Sequence, residues 1–244
     1  MDLLVLVLAA TATAVATGLG AVPVFFLGER AETLRPLLLG FAGGVMAVAS
    51  VVGLLLPAAD EGSTADVVWG TALGVAFLLV SRRLIDSPRS KLTSSAESRT
   101  ALLVFLVLLV HSLPEGFAIG TAYASDTAGL SLFVIIAIGA QNVPEGTSVA
   151  IPLAAAGYGR SRQFWAAVGT SAPQPVGAVI AYLLVEQVER LLPISFAFAA
   201  GAMLALVAWE LAPSAVSSGR VHSAVAGGAV GAAVMLALSV LLGV

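Results

Sequence analysis

Two hexapeptides hold the residues best able to do chemistry in this chain: His111-Ser-Leu-Pro-Glu-Gly116 and Gln141-Asn-Val-Pro-Glu-Gly146. In each, a glutamate follows a polar partner by four positions, so His111 with Glu115 and Gln141 with Glu145 share single helical faces. Asn142, three residues before Glu145, leans to the same side. One imidazole with two carboxylates suits a first-row divalent ion such as Zn²⁺, Fe²⁺, Co²⁺ or Mn²⁺, whereas an all-oxygen cage would favour Ca²⁺ or Mg²⁺. Met46 offers either a soft thioether ligand or gap-filling packing. The chain has 0 cysteines, which excludes thiolate metal sites, disulfides and thiol redox chemistry. A hydrolytic zinc enzyme would need His-Glu-x-x-His on one helix. That pattern is absent, so no catalytic residues and no enzymatic activity are expected.

The elements that must position these residues follow from composition. Of 244 residues, 59% are hydrophobic and 10% charged, against roughly a quarter charged in an average soluble domain. A soluble domain and a disordered chain are both excluded. Eight apolar runs reach the roughly 20 residues that cross a bilayer core: 3–27, 36–57, 66–81, 100–123, 128–155, 163–186, 193–215 and 222–243, the third being short. The first is preceded by Asp2 where a secretory signal would carry positive charge, and is expected to remain as a helix. The runs are continuously apolar and not alternating, which excludes a β-barrel. The expected fold is an all-α integral membrane protein, residues 1–244 forming a single transmembrane domain with the lipid bilayer as its solvent. The net charge of −3 gives no reason to expect a nucleic-acid partner.

All of the 11 basic residues except Arg190 fall in the loops after the first, third, fifth and seventh runs, the largest group in the 82–99 segment. Retention of Lys and Arg on the cytoplasmic side then places that loop inside and both termini outside a plasma membrane. The opposite side collects Asp2, Asp60, Glu61, Asp66, Asp126, Glu186 and Glu189, which attract cations or simply solvate loop ends.

His111 and Gln141 each lie roughly 16–20 Å into the bilayer from opposite sides, at about 1.5 Å per residue. The two motifs therefore meet near the midplane on helices of opposite direction. A second echo links Ala42-Gly-Gly-Val-Met46 and Pro57 with Ala199-Ala-Gly-Ala-Met203 and Pro213, the spacing to proline differing by one residue. Such echoes fit an inverted repeat, three helices on each side of a central pair (3+2+3), with the site where the repeats meet. Two carboxylates at that depth repel each other and have no Lys or Arg near them in sequence. A bound cation is the partner that such groups call for. Pro114 and Pro144 withdraw backbone donors from the carbonyls of Val110 and Ala140, which suits a wet cavity. The function expected from these residues is permeation of a divalent cation. The alternative is a proton-coupled solute carrier using Glu115 and Glu145 as relays.

The two Pro-Glu-Gly motifs, HSLPEGFAIG and QNVPEGTSVAIPL, resemble the signatures of the ZIP (Zrt/Irt-like) family of divalent metal transporters, particularly its prokaryotic GufA-like branch, and the likeness extends over all eight runs. The resemblance implies zinc or a related ion moving toward the cytoplasm as transported substrate, with no resident cofactor and, as an assembly to be considered, a homodimer. It further implies that His111, Glu115, Gln141, Asn142, Glu145 and Met46 line the site. Ser112 and Gln174 stand at positions that relatives use for a second metal. Gln174 replaces the usual glutamate there, and the 82–99 loop has no histidine. Gln174 lies about twelve residues into the sixth run, near the midplane, where an amide keeps an oxygen ligand but removes a full charge. Two divalent ions a few Å apart repel by several kcal/mol even at an effective dielectric near 20. One tightly held ion is therefore expected, with the second position weak or empty.

Overall fold

The computed structural model describes residues 3–85, 96–217 and 219–244. Among the described residues it is all-helical, and eight helices are long and apolar enough to cross a membrane. They are α1 (Leu3–Leu27), α2 (Ala31–Glu61), α3 (Thr64–Ile85), α4 (Ala101–Ala124), α5 (Leu130–Ala155), α6 (Arg160–Gln187), α7 (Glu189–Val216) and α8 (Val221–Leu242). The third run, short in sequence, extends by two residues at its start and by about a turn at its end. Ser63 opens it, its backbone N–H and hydroxyl both bonding the Asp66 carboxylate at 2.9 and 2.6 Å. At the far end Arg82 and Arg83 remain helical, a position from which long basic side chains reach polar surroundings. The expected 82–99 loop falls mainly on residues 86–95, outside the described residues.

Four of the spans are not continuous α-helices, a feature that apolar content does not reveal. In α6 the helix stops at Thr170 and restarts at Pro173. Pro173 and Pro175 have no N–H to offer the carbonyls of Gly169 and Ser171 four residues back. Those carbonyls accept instead from Ala172 (3.2 Å) and Gln174 (3.0 Å), tighter i to i+3 bonds that let the chain turn inside the span. In α1 a similar turn at Gly20 and Ala21 precedes Pro23, with Gly20 and Ala21 bonded back to Thr17 and Gly18. In α2 and α7 a π-helical turn, Val51–Leu55 and Val207–Leu211, ends two residues before Pro57 and Pro213. An inserted residue in the ladder is one way a helix absorbs the clash of a proline ring with the preceding turn.

Lipid gives little reward for burying one apolar side chain against another, so membrane helices associate chiefly by close backbone contact. Glycines four apart supply it here. Gly40 and Gly44 of α2 lie against the backbone of Ala224 and Gly228 in α8, while Gly227 and Gly231 of α8 lie against Leu37 and Phe41. Gly70 and Gly74 of α3 meet Ile194 and Phe198 of α7, and Gly201 of α7 meets Thr71. The same contact builds the centre: Gly116 and Gly120 of α4 touch the backbone of Gln174 and Ala178 in α6, and Gly146 of α5 touches Thr17 of α1. The main core, including Met46, Phe133, Ile138, Phe196, Met203 and Leu206, surrounds this central group.

Candidate metal centre

α4 and α5 run through their prolines without a break, which keeps the four-residue spacing of both motifs on helical faces. His111 and Glu115 are 0% exposed and Glu145 is 3% exposed. His111 Nε2 lies 3.3 Å from Glu115 Oε1 and 3.9 Å from Glu145 Oε1. One ligand atom from each of the three residues falls within 4.8 Å of the others. Tetrahedral ligands about 2.1 Å from a zinc-type ion lie about 3.4 Å apart. The His111–Glu115 pair already has that spacing, and Glu145 needs to close by only about an ångström.

The polar surroundings of the two glutamates differ. Glu115 accepts hydrogen bonds on both oxygens, from Gln141 Nε2 on Oε1 and from Gln174 Nε2 on Oε2. Glu145 Oε1, both ring nitrogens of His111 and Gln141 Oε1 have no hydrogen-bond partner among the described residues. A buried carboxylate or imidazole normally finds one. An ion between α4 and α5 would satisfy three of these orphaned atoms, Glu145 Oε1, His111 Nε2 on the side of the two glutamates, and Gln141 Oε1.

Each of the other sequence candidates has a definite place. Asn142 Nδ2 donates to the Thr13 carbonyl at 2.7 Å and to Gln174 Oε1 at 3.2 Å. Gln174 thus faces Glu115, as its depth in the span predicts. Ser112 donates to the Leu108 carbonyl of its own helix at 2.9 Å. Met46 is 0% exposed within the main hydrophobic core. Glu210 lies in the π turn of α7, 3.2 Å from Arg82. His222 is exposed.

Thr13 and Thr17 of α1 were not singled out by sequence. Thr13 donates to Gln174 Oε1 at 3.0 Å, and the Thr17 and Ser171 hydroxyls pair at 2.6 Å across the break in α6. The available signal was two threonines four apart in an otherwise apolar run, which places both on one face.

Two cavities flank the site. One of about 230 Å³ is lined by Glu145, Ser148, Arg35, Glu210 and Ser214 among others, at the end of the bundle that carries the basic loops. The other, of about 610 Å³, is lined by Glu61, Asp66, Asp126, Glu186, Glu189 and Arg190 at the acidic end. Glu145 lines the first, and none of His111, Glu115 and Glu145 lines the second.

Eight spanning helices with a buried histidine–carboxylate cluster between two proline-bearing helices define a multi-pass membrane protein with a candidate metal-binding centre. The family described as ZIP zinc transporter matches residues 86–239. The zinc transporter GufA of Myxococcus xanthus is 33% identical over 241 residues, covering 93% of this chain and 95% of that one. The zinc transporter ZIPB of Bordetella bronchiseptica is 32% identical over 250 residues, covering 97% and 81%. A longer Arabidopsis thaliana relative is 33% identical over 94% of this chain, which spans 38% of that protein's length. The chain belongs to the ZIP family, on its GufA-like branch.

Proposed function

We propose that this protein carries divalent transition-metal ions, zinc among them, across the membrane through the cluster of His111, Glu115 and Glu145, toward the end that bears the basic loops. It acts as a transporter and not as an enzyme, with the ion as its substrate. The observation that carries the reading is the buried Glu145 Oε1: it has no hydrogen-bond partner among the described residues, lies 3.9 Å from His111 Nε2, and belongs to a residue that lines a cavity at that end. Gln141 Oε1 is a further ligand, and Met46 supplies a thioether from α2. The proton-coupled solute carrier is not favoured, since the relatives that this chain matches are zinc transporters.

Paired features support a 3+2+3 inverted repeat. α1 and α6 both break at a proline, α2 and α7 both carry a π turn before a proline, and α4 and α5 share the Pro-Glu-Gly motif. In this reading residues 1–244 form one transmembrane domain in the plasma membrane, with the termini outside and the 82–99 loop in the cytoplasm. Single cysteines at Ser63 and Ser161, both exposed in this cysteine-free chain, test the orientation. An impermeant thiol reagent should label Ser63→Cys in intact cells and reach Ser161→Cys only after lysis. Labelling of both in intact cells would reverse or dissolve the assigned direction.

Uptake into proteoliposomes, with zinc competed by Fe²⁺, Co²⁺, Mn²⁺ and Cd²⁺, tests the function itself. A protein that moves none of these ions disproves it. Because His and carboxylate ligands bind metal only when deprotonated, protons compete with the ion. Zinc affinity is expected to fall as the medium is acidified. A binding isotherm unchanged between pH 7.5 and 5.5 would count against these ligands.

A further inference from the structure

The hydrogen bonds around Gln174 have a polarity, and the groups at their ends set it. A backbone carbonyl can only accept, so the Thr13 carbonyl orients the Asn142 amide with Nδ2 toward α1 and Oδ1 toward Gln174. An ionised carboxylate can only accept, so Glu115 draws Nε2 of Gln174 onto its Oε2. Gln174 Oε1 then accepts from Asn142 Nδ2 at 3.2 Å and lies 3.0 Å from the Thr13 hydroxyl, whose one proton it shares with the Ala10 carbonyl at 2.8 Å. All these groups are buried, with Gln174, Asn142 and Glu115 each 0% exposed. By composition this side of Glu115 looks suited to a second ion, since it gathers the oxygens of a carboxylate, two amides and a hydroxyl. By orientation it is not: Gln174 presents hydrogen atoms to Glu115 and turns its oxygen away.

Resting on the reading of the site given above, we infer that Gln174 limits this centre to one divalent ion, its amide NH₂ occupying the side of Glu115 where a second ion would have to bind. The donor satisfies Glu115 Oε2 with no cation there. Glu115 Oε1, on the side of His111 and Glu145, accepts in the same way from Gln141 Nε2, but Gln141 Oε1 has no partner among the described residues and nothing holds that amide against turning its oxygen to an ion, whereas Gln174 Oε1 is held by its own partners. Electrostatics act in the same direction. Two carboxylates balance one divalent ion and leave a second unneutralised, and the amides contribute no charge.

The test is zinc stoichiometry of the purified full-length protein by equilibrium dialysis, together with EPR of the Mn²⁺-loaded protein. The parent protein should hold one zinc that is lost in His111→Ala, and its Mn²⁺ spectrum should be that of an isolated ion. Gln174→Glu removes the donor and adds a charge, so it should hold two zinc ions and give the spectrum of an exchange-coupled Mn²⁺ pair. A folded Gln174→Glu protein that still holds one ion overturns the inference and leaves the site reading standing. Should Gln174→Glu fail to fold, the parent protein decides alone: two His111-dependent ions overturn the inference, and one ion with an uncoupled spectrum supports it. Zinc binding indifferent to His111→Ala overturns both.

Discussion

Alanine at Glu145 is expected to lower zinc uptake by at least about 100-fold while leaving the metal-free protein no less stable than its parent. The two halves of this outcome have one cause. Glu145 is a carboxyl group 3% exposed whose Oε1 has no hydrogen-bond partner among the described residues, and a buried polar group left unpaired costs about 1–3 kcal/mol. Removing it relieves that cost in the metal-free state. Loss of an outer partner alone typically costs 10–100-fold in metal affinity, and loss of a ligand should cost more. Zinc at 100 times its Kd stabilises a folded protein by about 2.7 kcal/mol. The parent's melting temperature should therefore rise with zinc and the variant's should not. His111→Ala should behave alike in uptake. Near-parent uptake by well-inserted Glu145→Ala protein would remove Glu145 from the permeation path.

The second large effect is steric. Gly146→Ala should prevent assembly of a folded transporter, whereas Gly139→Ala, about two turns earlier on the same helix, should be tolerated. A Cβ at Gly146 would overlap the carbonyl oxygen and carbon of Thr17, and on the facing helix a Cβ at Gly20 would overlap the carbonyl of Val143. Both obstructions are backbone, so α1 and α5 must part. Overpacking costs typically 1–3 kcal/mol, and backbone contact on both sides puts this case at or above the upper end. Parting the helices would also stretch the bond from Thr147 Oγ1 to the Gly20 carbonyl, now 2.7 Å. At Gly139 the nearest atom to a new Cβ is Thr13 Cγ2 at 3.8 Å, an ordinary contact, and alanine there gains about 1 kcal/mol of helix propensity. Size-exclusion profiles and thermal melts of the two variants make the comparison. Equal behaviour of the pair would show that the close approach of α1 and α5 is not needed for assembly.

The broad architecture was legible in sequence because it depends on quantities summed along the chain. Hydrocarbon must be crossed by satisfied backbone, so runs of about 20 apolar residues become helices wherever they stand. All eight expected runs correspond to spans in the structure. The juxtaposition of His111, Glu115 and Glu145 was legible too, since four-residue spacing and equal depth are helical arithmetic. Local backbone departures were only partly legible. The prolines announce disturbance, yet Pro114 and Pro144 leave their helices continuous while Pro173 and Pro175 open a break. Nothing in the one-dimensional pattern separates those outcomes.

What tertiary structure alone decided is polarity and proximity between distant segments. From sequence, Gln174 is an oxygen ligand short of one charge. In the fold its oxygen is claimed by Thr13, 161 residues away in the chain, and by Asn142, so its amide protons face Glu115. The roles of Gly146 and Gly116 likewise depend on backbone brought against them by α1 and α6. Residue type sets which bonds a side chain can make, and spacing sets which face of its own helix it occupies. The direction of an amide and the room for a Cβ are set by atoms of other helices, and those positions exist only once the bundle has assembled.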